Sequence, residues 1–401
     1  MKKFGKLKLI GLASIFVFAL ISWATVQEPP MRTLSEQELV DLFVGSCIQA
    51  TRGGNSERYI RSIKQALAEG KQFKLISVKD LPNDWMVVSP SGVGGGGAWE
   101  YVTDRISKQG LPRVPNTNIK SIDLLSEYIG KDFKAVIRGE AAGATYTAFL
   151  TAAEMGVPIV DACITGRCVP EIQQSIPWIA GIPSTPMALF TRWGDEIIVK
   201  KPVDDYRTED LVRAVAVASG GGVSVAGWPM SGKDIKRGVI SGDISAAILF
   251  GRTVREALEH GKDPIAAIVE VTKGYKLFQG VVAKSEKKGE RGFSWANVEL
   301  KGLNEYEGHT YKVFVKNENI VAWLDGKVDV ISPDYIYPLN PETGEAISGY
   351  SIGREIFMVG VPAPSIWRTE KGIEVLGPRH FGFDFDYTPI EELQEKRKKF
   401  D

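Results

Sequence analysis

Between Phe133 and Glu171 the chain passes through strand, loop, helix and strand in an order that leaves little choice of fold. Phe133 to Ile137 is a short apolar run with strand character, and Arg138-Gly139-Glu140 follows it directly. Gly143 leads into Thr145 to Met155, a run of small residues that reads as a closely packed helix. Val157 to Val160 returns to a buried strand, which ends abruptly in Asp161. A strand, a crossover helix and a second strand put the two strands in parallel, because the helix carries the chain back to the end where the first strand began. The amino-terminal part is therefore α/β, a mostly parallel sheet with helices on its faces. Polar residues at the strand ends, Ser89, Glu140 and Asp161, are expected along one edge of that sheet, the usual place for a site.

The loop after the second strand carries the most chemistry. Asp161, Cys163, Arg167, Cys168 and Glu171 put charge, thiol and a rigid guanidinium fork within one glycine-bearing stretch. Glu140, Asp161 and Glu171 are carboxylates that could converge, share acid and base roles, or bind one metal ion such as zinc or manganese. Cys163 reads as a thiolate nucleophile or a metal ligand. A structural reading stands beside each: a helix cap at Asp161, an Arg167–Glu171 ion pair, and two core cysteines. The histidines, His260, His309 and His380, are far apart and form no HExxH-type pair. His260 reads as a helix C-terminal cap. Arg379-His380 lies in a Gly-Pro-bounded loop with Asp384 and Asp386 close by, so Arg379 either binds an anionic substrate group or pairs with Asp384.

Ser35 and Glu38 form a capping box that opens a helix from about Glu36 to Ile48. A second helix is expected from Glu57 to Glu69, and strands over Phe73–Ser77 and Trp85–Ser89. Glycines 94–97 before a helix at Trp99–Lys108 either present backbone N–H groups to an anion or form a flexible turn. They make neither a Walker loop nor a GxGxxG fingerprint. From Gly280 the texture is short strands and turns, with a β-rich, barrel-like subdomain at about 281–340. The chain divides into 1–30, a hydrophobic leader or anchor, 31–195, the α/β domain, and 196–401, a carboxy-terminal domain.

Lysine plus arginine equals aspartate plus glutamate, 49 each, and no basic stripe is interleaved with aromatics, so nucleic acid is not an expected partner. Three cysteines cannot build a disulfide framework, which leans towards a reducing compartment. Leu9 to Val26 is an uncharged apolar run behind several lysines. It fits a membrane anchor, a secretory signal, or a leader bypassed if translation starts at Met31. The protein is accordingly expected at a membrane or in the cytoplasm.

Gly156-Val157-Pro158-Ile159-Val160-Asp161, continuing to Gly166-Arg167-Cys168-Val169-Pro170-Glu171, resembles the signature of the S-methyl-thiohydantoin desulfurase-like family. Met230-Ser231-Gly232, Asn317-Glu318-Asn319, Ser332-Pro333-Asp334, Val361-Pro362-Ala363-Pro364, Trp367 and Gly377-Pro378-Arg379-His380-Phe381-Gly382 follow in the family's order. The resemblance implies a two-part protein acting on hydantoin or thiohydantoin rings, with relatives associated with hydantoinase and oxoprolinase proteins. It points to a hydrolase or desulfurase of small five-membered cyclic amides or thioamides. Glu140, Asp161, Cys163 and Glu171 are the expected catalytic residues, and Arg167, Asn317, Arg379 and His380 the expected substrate binders. A homo-oligomer is compatible with the resemblance. The chain departs from the pattern at Cys163, where a second aspartate is usual, at Thr51-Arg52-Gly53-Gly54-Asn55, a reduced glycine run, and at Ala141-Ala142. Those departures motivate an alternative, a catalytically altered binding or regulatory subunit.

Overall fold

The computed structural model describes residues 30–94, 96 and 100–398. The apolar run at 9–26, and Gly95 and Gly97 of the glycine loop at 94–97, lie outside the described residues. Among the described residues no helix is long and apolar enough to cross a membrane.

The first sheet is built from β1 (Met31–Thr33), β2 (Lys74–Ile76), β3 (Met86–Gly94), β4 (Ala135–Arg138), β5 (Ile159–Cys163), β6 (Met187–Phe190), β7 (Glu196–Val199), β8 (Gly222–Ser231) and β9 (Ile240–Ser241). Its order is β1-β2-β5-β4-β3-β8-β6-β7, with β9 also on β5. The centre, β2-β5-β4-β3, is parallel, as the strand–helix–strand order predicts. Antiparallel strands extend it on both flanks. The sheet thus continues past residue 195, through β7, β8 and β9.

Alternation along the central strands divides the core. Val88, Val136 and Ile159 face one side, packed with Phe149 of the helix Gly143–Met155. Val87, Ile137 and Val160 face the other, packed with Val212 of the helix Asp205–Ala218. Neighbouring residues point to opposite faces because the strand repeats every two residues. The helix Glu36–Gln49 starts at the expected capping box, with the Ser35 hydroxyl and the Glu38 carboxylate exchanging bonds with each other's backbone N–H. It lies against the helix Asp243–Glu259 at very close range. A Cβ added at Gly45 would stand 1.9 Å from the Ala247 carbonyl oxygen, and one at Gly251 only 1.8 Å from that of Asp41.

The second sheet is antiparallel throughout: β10 (Tyr275–Glu290), β11 (Phe293–Gly302), β12 (Thr310–Lys316), β13 (Glu318–Leu324), β14 (Lys327–Ile331), β15 (Tyr335–Leu339) and β16 (Glu355–Val361). Its order is β14-β13-β12-β11-β10-β16-β15, and it curls into a half-barrel. Across the curl the Asn319 amide donates to the Ile336 carbonyl at 3.1 Å. The β-rich region expected at 281–340 lies within this sheet, which runs from 275 to 361.

Two strand ends differ from expectation. β3 continues beyond Ser89 to Gly94 because β8 pairs with its whole length. β5 continues beyond Asp161 to Cys163 because β9 pairs with Ala162 and Cys163. Ser89 and Asp161 are therefore inside strands, and only Glu140 follows a strand end.

Candidate active site

β4 and β5 end on the same side of the first sheet, and the segments that follow them, Gly139-Glu140 and Ile164–Ile172, form one wall of a cleft. The β12–β13 turn at Asn317-Glu318 and the turn at Arg52-Gly53 form another. The cleft has a volume of about 590 Å³ and is bounded by both sheets' loops. That is the size of a small-molecule site.

Two carboxyls with raised proton affinity face this cleft. Glu140 Oε1 accepts the Val169 N–H at 3.0 Å. Burial pushes its carboxyl up to about 7, outweighing that bond and the Arg213 charge. Glu318 Oε2 accepts the Thr51 hydroxyl at 3.0 Å. Burial, and then the negative charge of Glu140, push the Glu318 carboxyl up to about 8. A charged carboxylate loses hydration in such a place and gains too little in return, so the neutral form persists to higher pH.

The other charged groups on the wall are largely spoken for. Arg213 donates to Glu209 at 2.7 Å, to the Gly94 carbonyl at 2.5 Å and to the Pro170 carbonyl at 2.9 Å. Glu171 binds the Lys316 ammonium and His380 Nε2, the latter at 2.6 Å. Burial alone would raise the Glu171 carboxyl; the His380 bond and the Lys316 charge outweigh it and hold it at about 2. Lys316 in turn sits 4.4 Å from the Phe293 ring centroid and 5.3 Å from that of Trp295. Arg52 is less committed: Nη1 donates to the Asn317 carbonyl at 2.7 Å, and Nε and Nη2 donate to no described residue.

The residues singled out from sequence fall into two groups. Glu140, Glu171 and Asn317 line the cleft, and His380 reaches it through Glu171. Asn317 has a left-handed backbone, φ +55°, and its side-chain oxygen accepts the Ser294 N–H at 2.8 Å. Asp161, Cys163, Arg167 and Arg379 lie off the cleft wall. Asp161 accepts the Ser245 N–H at 3.0 Å and its hydroxyl at 2.6 Å, in the first turn of the helix Asp243–Glu259. Cys163 is buried, donates to the Gly139 carbonyl, and burial pushes its thiol up to about 11. Arg167 is fully buried between the Pro333 and Cys168 carbonyls and the Tyr335 ring, and forms no pair with Glu171. Arg379 is exposed and pairs with Asp384 and Asp386. Among the described residues no three His, Cys, Asp or Glu side chains are grouped to hold a metal ion.

Sequence reasoning missed Glu318, Arg52 and the Arg138–Asp243 pair. Arg138 closes β4, is wholly buried, and binds Asp243, Gln49 at 2.8 Å and Thr145 at 2.9 Å. Glu318 was visible only as the middle residue of the Asn317-Glu318-Asn319 block.

The fold and cleft define a two-part α/β protein with a carboxyl-bearing cleft between a parallel-centred sheet and an antiparallel half-barrel. The chain belongs to the S-Me-THD-like family: residues 37–201 match its N-terminal domain and residues 203–390 its C-terminal domain. A crystal structure of a protein from Chromobacterium violaceum shares the fold, with a TM-score of 0.71 and 20% identity, over 90% of this chain and 100% of that one. No curated protein matches the chain.

Proposed function

We propose that the cleft hydrolyses or desulfurises a small five-membered cyclic amide or thioamide of the hydantoin or thiohydantoin type. The observation that carries this reading is the pair Glu140 and Glu318, two carboxyls raised to about 7 and about 8 in one cleft. Between those values Glu140 is mostly ionised and Glu318 mostly protonated, the division a base and an acid require. Glu140 takes a proton from water as its oxygen bonds to the ring carbon. Glu318 gives its proton to the ring nitrogen or exocyclic sulfur as the bond from that atom to carbon breaks. Arg52, with donors to spare, holds the ring's anionic form, and Glu171, fixed by Lys316 and His380, shapes the wall. Membership of the S-Me-THD-like family supports the choice of ring.

The test is an assay of purified protein against hydantoins and thiohydantoins, with and without added zinc or manganese. Release of ring-opened acid or of sulfide or thiol is expected; no turnover of any of them overturns the proposal. A second reading, a small-molecule-binding or regulatory subunit, is favoured by Asp161 and Glu171 both being engaged by other side chains, Ser245 for one and Lys316 for the other. Saturable binding of the same rings without turnover would select it.

A further inference from the structure

Thr51 is a β-branched residue with a left-handed backbone, φ +57°, and no exposed surface. Such a conformation is costly for a threonine and persists only where its surroundings enforce it. Here the surroundings are the β12–β13 turn. The Asn319 amide donates to the Thr51 carbonyl at 2.5 Å, and Arg52 Nη1 donates to the Asn317 carbonyl at 2.7 Å. Between these two bonds the Thr51 hydroxyl reaches Glu318 Oε2 at 3.0 Å, while Glu318 Oε1 bonds to no described residue. The turn after the first helix therefore clasps three consecutive residues of the other sheet, and the middle one is the cleft carboxyl.

We propose that Thr51 is a positioning residue for Glu318: its hydroxyl occupies Oε2 and so leaves Oε1 as the oxygen that carries the proton offered to the ligand. A carboxyl whose one oxygen already accepts a hydrogen bond binds its proton on the other. The hydroxyl also favours the ionised form, so it keeps the proton from being held too tightly to transfer. The strained backbone matters because an extended or helical Thr51 would carry the hydroxyl and the carbonyl away from Glu318 and Asn319. This inference rests on the acid role given to Glu318 above.

Three variants of the full-length protein separate hydroxyl from backbone. Thr51→Ser keeps the hydroxyl, Thr51→Val keeps the shape without it, and Thr51→Gly removes the hydroxyl while relieving the backbone strain. The titration of Glu318 is read from the infrared band of its protonated carboxyl, identified by its loss in Glu318→Gln. Thr51→Val and Thr51→Gly are expected to move that titration upward by about one pH unit, the value of a lost hydrogen bond to a charged group. Thr51→Ser is expected to leave it in place, and ring turnover to fall about ten- to hundredfold in the first two variants only. An unmoved titration in Thr51→Val, or an equal shift in Thr51→Ser, overturns the inference. If the wild type turns over no ring amide, the hydrolytic reading falls, whereas the titration still decides whether Thr51 governs Glu318.

Discussion

Glu140 and Glu318 line one cleft from two different sheets, and the charge of Glu140 helps keep Glu318 protonated. One follows a parallel strand and the other opens an antiparallel one, so their meeting depends on how the two sheets dock.

Removing either carboxyl removes one proton-transfer step. Glu140→Gln and Glu318→Gln are each expected to lower turnover of a thiohydantoin by about a hundred- to ten-thousandfold. The double variant should be little worse than the weaker single one, because the two act as a unit. Steady-state rates of the three variants check this.

The same carboxyls make stability fall with rising pH. Each titrates above its ordinary value of 4.5, at about 7 and about 8, so the folded state holds more protons than the unfolded one in that window. Their contribution is fully present below 4.5 and is lost as pH rises through 7 and 8. Tm should therefore decline from about pH 5 to about pH 9, and less so in Glu318→Gln. Glu171, held at about 2, acts oppositely: its contribution is present above 4.5 and is lost as pH falls through 2. Thermal scans across pH separate the two windows.

The Arg138–Asp243 pair is wholly inside the protein, where an uncompensated charge is expensive. Arg138→Met, which leaves Asp243 without its partner, is expected to cost roughly 3–5 kcal/mol of stability. Denaturant unfolding of wild type and variant measures it; a loss below about 1 kcal/mol would place the pair among the weak surface-like contacts.

Cys163 should be dispensable for chemistry. Its thiol is buried, bonded to the Gly139 carbonyl and raised to about 11, so it carries almost no thiolate at neutral pH. Cys163→Ser is expected to keep turnover within about threefold, and the native thiol to resist alkylation until the protein unfolds. Cys163→Asp, by contrast, places a carboxylate beside Asp243 and should destabilise the fold.

What the sequence made legible was local. The capping box at Ser35 and Glu38, and the strand, helix and strand between Phe133 and Val160, depend on neighbours a few residues away, and each appears in the structure. Glu140 could be placed at the cleft because it follows a parallel strand. Asp161 could not be placed, since its strand is prolonged by pairing with Ile240–Ser241 and its carboxylate is taken by Ser245, 84 residues later. Arg167 is withdrawn from the cleft by the carbonyl of Pro333, 166 residues away. Glu318 sat within the Asn317-Glu318-Asn319 block, and only the structure, through the bond from Thr51, 267 residues earlier, brings it to the cleft that Glu140 lines.

The acid–base pair is tested most directly by the pH dependence of kcat/KM for a thiohydantoin, measured on the wild type and on Glu140→Gln and Glu318→Gln. A bell with its limbs set by the coupled pair near 7 and 8 is expected in the wild type, with one limb lost in each variant. A flat profile, or one that both substitutions leave unchanged, would contradict the assignment of acid and base to these two residues.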